Sequence, residues 1–219
     1  MQRVLEPEVM DTWEESVAYD AMDFTAVNEA FAERAIALAP ESALVLDAGT
    51  GTARIPILLC QQRPQWQVIG VDRSKTMLQI GAANVKQVGL QAQITLADED
   101  AKQLPYPDGH FDAVVSNSLV HHLPEPLPFL REIKRVLKPR GAIVLRDLLR
   151  PMDIATVDTL VSSIGDDYDA HQQQLFRASL CAAFRLEELR ALLDTAGLQD
   201  VLLYQSSDRH WTADRAWAG

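Results

Sequence analysis

An apolar segment followed by two glycines constrains the fold of this chain more than any other feature. Residues 44–48, Leu-Val-Leu-Asp-Ala, are typical of a buried strand, and Gly49 and Gly51 follow directly. Residues 55–60 are amphipathic and predict a helix, whose first turn tolerates Pro56 because a missing N–H costs nothing there. Glycines let the backbone turn sharply, and a helix start carries a partial positive charge. The segment therefore predicts a strand, loop and helix that bind a charged ligand.

The acidic residue before the loop narrows the class of ligand. A carboxylate at the end of the strand, Asp47, suits a cationic ligand better than a pyrophosphate. Arg54 also stands where the dinucleotide pattern Gly-x-Gly-x-x-Gly requires its third glycine. The stretch resembles motif I of class I S-adenosylmethionine-dependent methyltransferases, usually acidic-x-Gly-x-Gly-x-Gly, with Ala53 in place of the last glycine. A glycine-bearing turn without a ligand is the alternative interpretation.

The second predicted strand extends this resemblance. Residues 67–72 end at Asp72, the position from which a carboxylate accepts both ribose hydroxyls in nucleotide-binding α/β folds. Residues 71–78 resemble the next methyltransferase motif. The resemblance suggests that Met77 packs on adenine, and a plain core position is the alternative.

A third segment matches the part of the family that binds adenine. Residues 94–97 predict a short strand, and Asp100 and Ala101 lie in a segment similar to the family's Asp-Ala-x-x-Leu-Pro. The resemblance implies that Asp100 accepts the adenine amino group and that the next main-chain N–H meets a ring nitrogen. Asp98 is the alternative if the strand ends earlier.

The fourth predicted strand, residues 111–116, is apolar on both faces and is expected to be central. It delivers Asn117 and the run from His121 to Pro124 to the edge beside the glycine loop. Similar methyltransferases carry a His-His-Leu-Pro-like run in which one imidazole is structural. We expect His122 to be structural and His121 to face the site. No third ligand stands at a useful spacing, so we predict no metal.

The resemblance implies a complete binding set for S-adenosylmethionine, which leaves as S-adenosylhomocysteine. We expect Asp47 and main-chain groups near Gly49 and Asn117 to hold the ammonium and methionine portion. The predicted set has ten members, namely Asp47, Gly49, Thr50, Gly51, Asp72, Arg73, Met77, Asp100, Ala101 and Asn117.

The candidates for a general base are three. A hydroxyl or amine acceptor would need one, and His121 is the first candidate, with Tyr19 or His210 next. Tyr19 begins the segment 19–23, which is either an exposed connector or a lid over the methyl donor, as in related small-molecule methyltransferases.

The end of the fifth predicted strand, residues 142–147, supplies the candidates for acceptor binding. Arg146, Asp147 and the nearby Arg150 gather on the face where open α/β sheets bind ligands. We expect Arg146 and Asp147 to anchor an acidic or hydroxylated acceptor, and a salt-bridged structural cluster is the alternative.

Composition sets broad limits on partners and location. The 219 residues carry a formal net charge of −11, which argues against nucleic acid, whose phosphates require a basic face. No apolar run approaches membrane-spanning length, and the first residues lack the apolar core of a signal peptide. Cys60 and Cys181 lie in apolar helical patterns and are expected to be buried thiols, which fits a cytoplasmic location.

Strands and helices alternate along the chain. They predict a single α/β domain with a Rossmann-like, doubly wound, mostly parallel seven-stranded sheet and helices on both faces. We predict four parts, which are an N-terminal helical lid, a cofactor-binding core, a helical substrate cover and the last helix and strands, at residues 1–40, 41–150, 151–184 and 185–219. The pattern most resembles ubiquinone- and menaquinone-biosynthesis-like methyltransferases acting on small molecules. An NAD(P)-dependent oxidoreductase and a non-catalytic S-adenosylmethionine-binding protein are the rival functions.

Overall fold

The computed structural model describes residues 1–6, 12–165 and 168–218. Its seven strands are β1 (Leu44–Ala48), β2 (Gln67–Asp72), β3 (Ile94–Asp98), β4 (Phe111–Asn117), β5 (Leu137–Leu148), β6 (Leu202–Gln205) and β7 (His210–Arg215). They form one sheet in the order β3-β2-β1-β4-β5-β7-β6. β1 to β5 are parallel, and β7 pairs antiparallel with both β5 and β6.

The described residues also form eight α-helices. They are α1 (Trp13–Asp20), α2 (Thr25–Leu38), α3 (Arg54–Gln62), α4 (Lys75–Gln87), α5 (Leu127–Val136), α6 (Ile154–Ser162), α7 (Ala170–Ala182) and α8 (Leu186–Ala196). A short 3-10 helix, Val120–His122, follows β4. None of these helices has the length and apolar character that crossing a lipid bilayer requires.

Apolar side chains cover both faces of the sheet, because successive residues of a strand point to opposite sides. In β1, Leu46 and Ala48 face a core that includes side chains of α5 and α8, whereas Val45 faces a second core with α2 and α3. Trp211 is fully buried in the first core and Trp66 in the second. The predicted doubly wound, mostly parallel seven-stranded fold is confirmed.

The junction of α5 and β5 differs from its prediction. The apolar periodicity predicts a helix over residues 125–137 and a strand from Ala142, but α5 ends at Val136 and β5 begins at Leu137. Leu137 pairs with Phe111 of β4 ahead of a register shift, and Arg140 adopts φ 63° within this irregular part. Pairing with a neighbouring strand thus extends β5 through a Pro–Gly segment. By its local sequence alone, this segment would end the helix and separate it from the strand.

α1 lies against the starts of α3 and α4. Ser16 Oγ is 2.7 Å from Thr76 Oγ1, and the Asp20 carboxylate is 2.7 Å from Nη2 of Arg54. Tyr19 therefore belongs to the last turn of a docked helix and not to a connector between helices. This placement puts α1 beside the glycine loop, and its action as a lid stays a prediction.

The segment after β5 forms α6 and α7, which pack on Leu148 through a third, smaller apolar cluster that includes Val157 and Leu180. The sequence predicts an interruption of this helical region at residues 166–171. Residues 166 and 167 lie outside the described part of the chain, and α7 begins at Ala170.

Candidate functional site

The predicted donor-binding residues lie at one edge of the sheet, where β1 to β4 end. Asp47 pairs in register with Val115 of β4, and Asp72 lies opposite Asp98 at the ends of β2 and β3. Asn117 is the last residue of β4. Parallel strands leave their carboxyl ends at a common edge, which is where open α/β sheets bind ligands. The structure therefore brings together side chains that are far apart along the chain.

The glycine loop has left-handed backbone at three positions, with φ 75° at Gly49, 52° at Gly51 and 63° at Ala53. This region favours glycine, so Ala53 is held there at a cost of about 1 kcal/mol. The N–H groups of Gly49 and Thr50 donate to the carbonyl oxygen of Val71 at 2.9 and 3.0 Å. The loop is thus fastened to the end of β2 by its main chain.

Two buried polar atoms of this region have no hydrogen-bond partner among the described residues, namely Asp47 Oδ2 and Thr50 Oγ1. Asp47 is 1% exposed, and burial together with the nearby charge of Asp72 raises its pKa to about 7, although the neighbouring Thr50 hydroxyl acts to lower it. Gly70 leaves the space that Thr50 occupies, because a Cβ there would lie 2.5 Å from Thr50 Oγ1. Buried groups of this kind require a partner, so they fit a ligand with a cationic group and hydrogen-bonding atoms.

Asp72 is anchored by the main chain and keeps part of its acceptor capacity. Oδ2 accepts the N–H of Gly51 at 2.8 Å, and Oδ1 accepts that of Ser74 at 2.9 Å. A carboxylate offers about four acceptor sites, so the remaining lone pairs fit two ribose hydroxyls. Met77 is buried in the first turn of α4, and Ala101 packs against the larger core.

Asp100 lies between two cations. Arg73 Nη1 is 3.2 Å and Lys102 Nζ is 2.9 Å from its carboxylate oxygens. Partial burial opposes ionisation, but hydrogen bonds from Lys102 hold the pKa of Asp100 below its ordinary value. The alternative residue, Asp98, is exposed and has Lys75 Nζ at 3.6 Å. Asp100 therefore has two ionic partners among the described residues, and Asp98 has one.

His121 and Asp147 form a buried pair beyond the tip of β4. His121 Nδ1 is 2.5 Å from Asp147 Oδ1, and the main-chain N–H of His121 donates to Oδ2 at 2.9 Å. Burial opposes charge on both groups, but their attraction prevails, so the pKa of His121 is raised and that of Asp147 is lowered. The carboxylate therefore fixes the orientation of the imidazole through Nδ1, in a side chain that is 5% exposed.

His122 pairs with Glu6, a residue to which no sequence pattern points. Its Nδ1 lies 2.7 Å from Oε2 of Glu6, whose other oxygen accepts a hydrogen bond from Ser179. Arg3 fixes the same N-terminal segment by donating to the carbonyl oxygen of His121 at 3.0 Å. The candidate metal-ligating atoms of Glu6, His121 and His122 lie within 4.8 Å of one another. The spacing of residues in the sequence does not predict that Glu6 lies close to the two histidines, because the two segments are distant along the chain.

Tyr19 lies in the last turn of α1, and its ring centroid is 5.2 Å from that of Phe24. Burial raises the pKa of Tyr19 to about 12, and Tyr168 and the charges of Asp72 and Asp147 add to the rise. Ser16 of α1 contacts Thr76 at the start of α4, and Tyr19 of the same helix is half-buried. It stays protonated at neutral pH, which suits a hydrogen-bond donor better than a base.

The expected cluster of Arg146, Asp147 and Arg150 is divided among three environments. Arg146 Nε donates to Asn117 Oδ1 at 3.1 Å, on the opposite side of β5 from Asp147. Arg150 is buried, with Nη2 2.6 Å from the Glu188 carboxylate. Neighbours on a strand point to opposite faces, so Asp147 serves His121 and Arg150 has a structural role. The expectation of one joint cluster is wrong.

Arg146 lines a cleft of about 700 Å³ between α2 and the β6–β7 hairpin, together with His210. His210 pairs in register with Leu148, so it lies at the same edge as the end of β5. Burial, and next to it the charge of Arg146, lowers the pKa of His210 to about 4. Another cleft, of about 730 Å³, includes Leu137 at the start of β5 and lies at the opposite edge of the sheet.

Comparison with known proteins gives a family for the central part of the chain. Residues 46–145 match the family model described as a methyltransferase domain. Demethylmenaquinone methyltransferase of Bacteroides fragilis is 35% identical over 107 residues, which are 49% of this chain and 44% of that protein. The enzyme of the same name from Listeria monocytogenes is 36% identical over 108 residues, 49% of this chain and 45% of that protein. The chain thus matches somewhat less than half the length of these relatives.

Solved structures extend the likeness in fold to the whole chain. A putative S-adenosyl-L-methionine-dependent methyltransferase from Methanococcus maripaludis has a TM-score of 0.74 at 18% identity, covering 99% of this chain and 98% of that one. Phosphoethanolamine N-methyltransferase 2 from Haemonchus contortus, solved with S-adenosyl-L-methionine, has a TM-score of 0.70 at 19% identity, covering 89% of this chain and 44% of that one. Residues 46–145 therefore resemble a methyltransferase domain, and the fold of the chain as a whole is similar to that of these solved structures.

Proposed function

We propose that this protein binds S-adenosylmethionine at the carboxyl edge of the sheet and transfers its methyl group to a small-molecule acceptor. The observation that carries the proposal is the pair of buried, unpartnered atoms Asp47 Oδ2 and Thr50 Oγ1 at the glycine loop. They adjoin a carboxylate, Asp72, with acceptor capacity to spare. This donor and acceptor set is complementary to a cationic nucleoside.

Each predicted contact follows from the position of the residue in the fold. Asp47 and main-chain groups near Gly49 and Asn117 hold the ammonium and methionine portion. Asp72 accepts the ribose hydroxyls, and Asp100 accepts the adenine amino group. The remaining members of the donor set, Thr50, Gly51, Arg73, Met77 and Ala101, line the same edge. The bound sulfonium supplies an already activated methyl group, so the protein chiefly orients two reactants and excludes water.

His121 is our candidate for the general base where the acceptor must lose a proton. Asp147 holds Nδ1 and stabilises the imidazolium that forms, so Nε2 accepts the proton. Tyr19, which stays protonated, orients the acceptor as a hydrogen-bond donor. α1 covers the site from the side of α4 and limits access of water.

Calorimetric titration with S-adenosylmethionine, S-adenosylhomocysteine and NAD tests the proposal. We expect the first two to bind and NAD not to bind. Asp72→Ala should weaken donor binding by about 1.5–3 kcal/mol through lost hydrogen bonds to the ribose. Asp194→Ala removes an exposed carboxylate of α8 and is the matched control. Unchanged affinity in Asp72→Ala, or tight NAD binding, would contradict the assignment.

Turnover separates an enzyme from a protein that only binds the donor. Formation of S-adenosylhomocysteine is followed with a library of small acceptors. The library includes demethylmenaquinone, because the curated relatives carry that substrate in their name. Binding without turnover on any acceptor would favour the non-catalytic alternative.

A further inference from the structure

We propose that the methyl acceptor carries an oxyanionic group, either a carboxylate or a phosphate. Arg146 and His210 bind this group in the cleft between α2 and the β6–β7 hairpin. This inference deepens the proposed function and rests on it for the identity of the ligand as an acceptor. The binding of an oxyanion at this place is testable by itself.

Arg146 is the guanidinium of this cleft that has no carboxylate partner among the described residues. Its Nε donates to Asn117 Oδ1 at 3.1 Å, and Nη2 donates to the carbonyl oxygen of Val27 at 2.7 Å. A guanidinium has five N–H donors, so three have no partner in the described part of the chain. The Phe31 ring lies 4.9 Å from its central carbon and helps to hold the group in place. The fork is therefore pre-oriented and carries an uncompensated charge.

The other arginines of the cleft differ from Arg146 in this respect. Arg34 pairs with Asp214 through two nitrogen–oxygen contacts of 2.9 and 3.1 Å. Arg209 pairs with Asp208 at 3.1 Å. Both charges are paired with carboxylates of the protein. Among the described residues, Arg146 is therefore the guanidinium of the cleft that remains free to pair with an anionic ligand.

The hydrogen bonds of His210 make it a second donor. Ser207 Oγ accepts the main-chain N–H groups of Arg209 and His210 at 3.2 and 3.1 Å. Its lone pairs are then used, so its hydroxyl proton points to His210 Nδ1, 2.9 Å away. A neutral imidazole that accepts at Nδ1 carries its proton on Nε2. Because the pKa of His210 is about 4, this neutral form prevails at pH 7 and donates through Nε2.

The charge of the whole chain makes this local arrangement informative. A net charge of −11 repels anions in general. A cleft with an unpaired arginine is therefore a locally positive site in a negatively charged protein. Two hydroxyls, those of Ser206 and Thr212, also line the cleft. A volume of about 700 Å³ is within the range of small-molecule sites.

Asn117 connects this cleft to the donor site. It ends β4 beside the glycine loop, and its side chain accepts the hydrogen bond from Arg146. An acceptor whose anionic group lies on Arg146 would extend its reacting atom towards Asn117. The charge of Asp147 acts on both Arg146 and His210, but its carboxylate is buried on the other side of β5, where it is paired with His121.

Titration of the protein with inorganic phosphate, and separately with acetate, tests the oxyanion site. The ring resonances of His210, one of five histidines, and the amide resonance of Thr212 are followed by NMR at constant ionic strength. We expect a saturable shift with at least one of the anions, and the tighter of the two identifies the class. Arg146→Gln should weaken this binding about tenfold or more, as expected for loss of a charged hydrogen-bonding partner.

Two further variants keep the test decisive. Arg146→Lys keeps the charge but loses the planar fork, and we expect binding weaker than in the native protein and stronger than in Arg146→Gln. Arg131→Gln removes the same charge from an exposed position of α5 and should bind like the native protein. No saturable shift with either anion, or equal affinity in Arg146→Gln and the native protein, would overturn the proposal.

The two proposals fail in different ways. If the oxyanion binds but S-adenosylmethionine does not, the proposed function fails and the anion site stands. If S-adenosylmethionine binds and neither anion does, the anion site alone fails. Among acceptors that are turned over, a free acid should exceed its methyl ester, and Arg146→Gln should abolish that preference with donor affinity unchanged.

Discussion

Replacement of Asp47 by asparagine should change the pH dependence of stability. The unfolding free energy of the variant, relative to that of the native protein, should increase as the pH rises. Asp47 is 1% exposed, and its pKa rises from 3.8 to about 7 on folding. The native state then binds the proton more tightly than the unfolded state, so stability is lost as the pH rises towards the folded pKa. The full shift corresponds to about 4 kcal/mol, and the part between about pH 5 and pH 8 corresponds to about 2–3 kcal/mol.

Asparagine keeps the shape of the side chain and removes the titration. Its buried amide costs about 1–3 kcal/mol at every pH. The change of the unfolding free-energy difference with pH is therefore more informative than its sign at any single pH. We therefore expect the difference in unfolding free energy, Asp47→Asn minus native, to grow by about 2–3 kcal/mol from about pH 5 to pH 8.

Urea unfolding without ligand, at several pH values across this range, measures the difference by linear extrapolation. Asp194→Asn, at an exposed position of α8, should give a difference that is flat with pH. Asp47→Asn should also bind S-adenosylmethionine more weakly, because the ammonium loses its carboxylate. A difference for Asp47→Asn that does not change between pH 5 and pH 8 would refute the argument from burial.

Three further changes have expected outcomes. Asp147→Asn leaves His121 without its ionic partner and should destabilise the protein by about 3 kcal/mol at pH 6, measured by urea unfolding. This stabilisation is fully present below the unfolded pKa of histidine, near 6.5, and is lost as the pH rises through the higher folded pKa of His121, so the effect should shrink at high pH. If His121 acts as the proposed base, kcat/KM should rise with pH through a midpoint above pH 6.5 in the native protein, and this midpoint should move to lower pH in Asp147→Asn. Gly70→Ala places a Cβ 2.5 Å from Thr50 Oγ1 and should cost about 1–3 kcal/mol and weaken donor binding, and an unchanged melting temperature would count against the close packing. Activity should survive a chelator, because Glu6 and His121 already have hydrogen-bond partners, and loss that a divalent ion restores would disprove this.

The sequence determined the elements that depend on local rules. The alternation and length of apolar runs predicted the strands, and the acid and glycines after β1 predicted the loop at which Asp47 and Gly51 lie. The position of Asp72 followed from the same logic, because a strand-end acid is delivered to the ligand edge of a parallel sheet. These features are readable since each is set by residues close together in the chain.

Only the tertiary structure decided which of these side chains meet. Arg146 and Asp147 are adjacent in sequence, yet β5 sends one to Asn117 and the other to His121. Glu6 reaches a histidine from the far end of the chain, which no spacing rule anticipates. Such contacts arise from the way the helices pack on the sheet. Because packing depends on many residues that are distant in the sequence, a local sequence pattern cannot predict it.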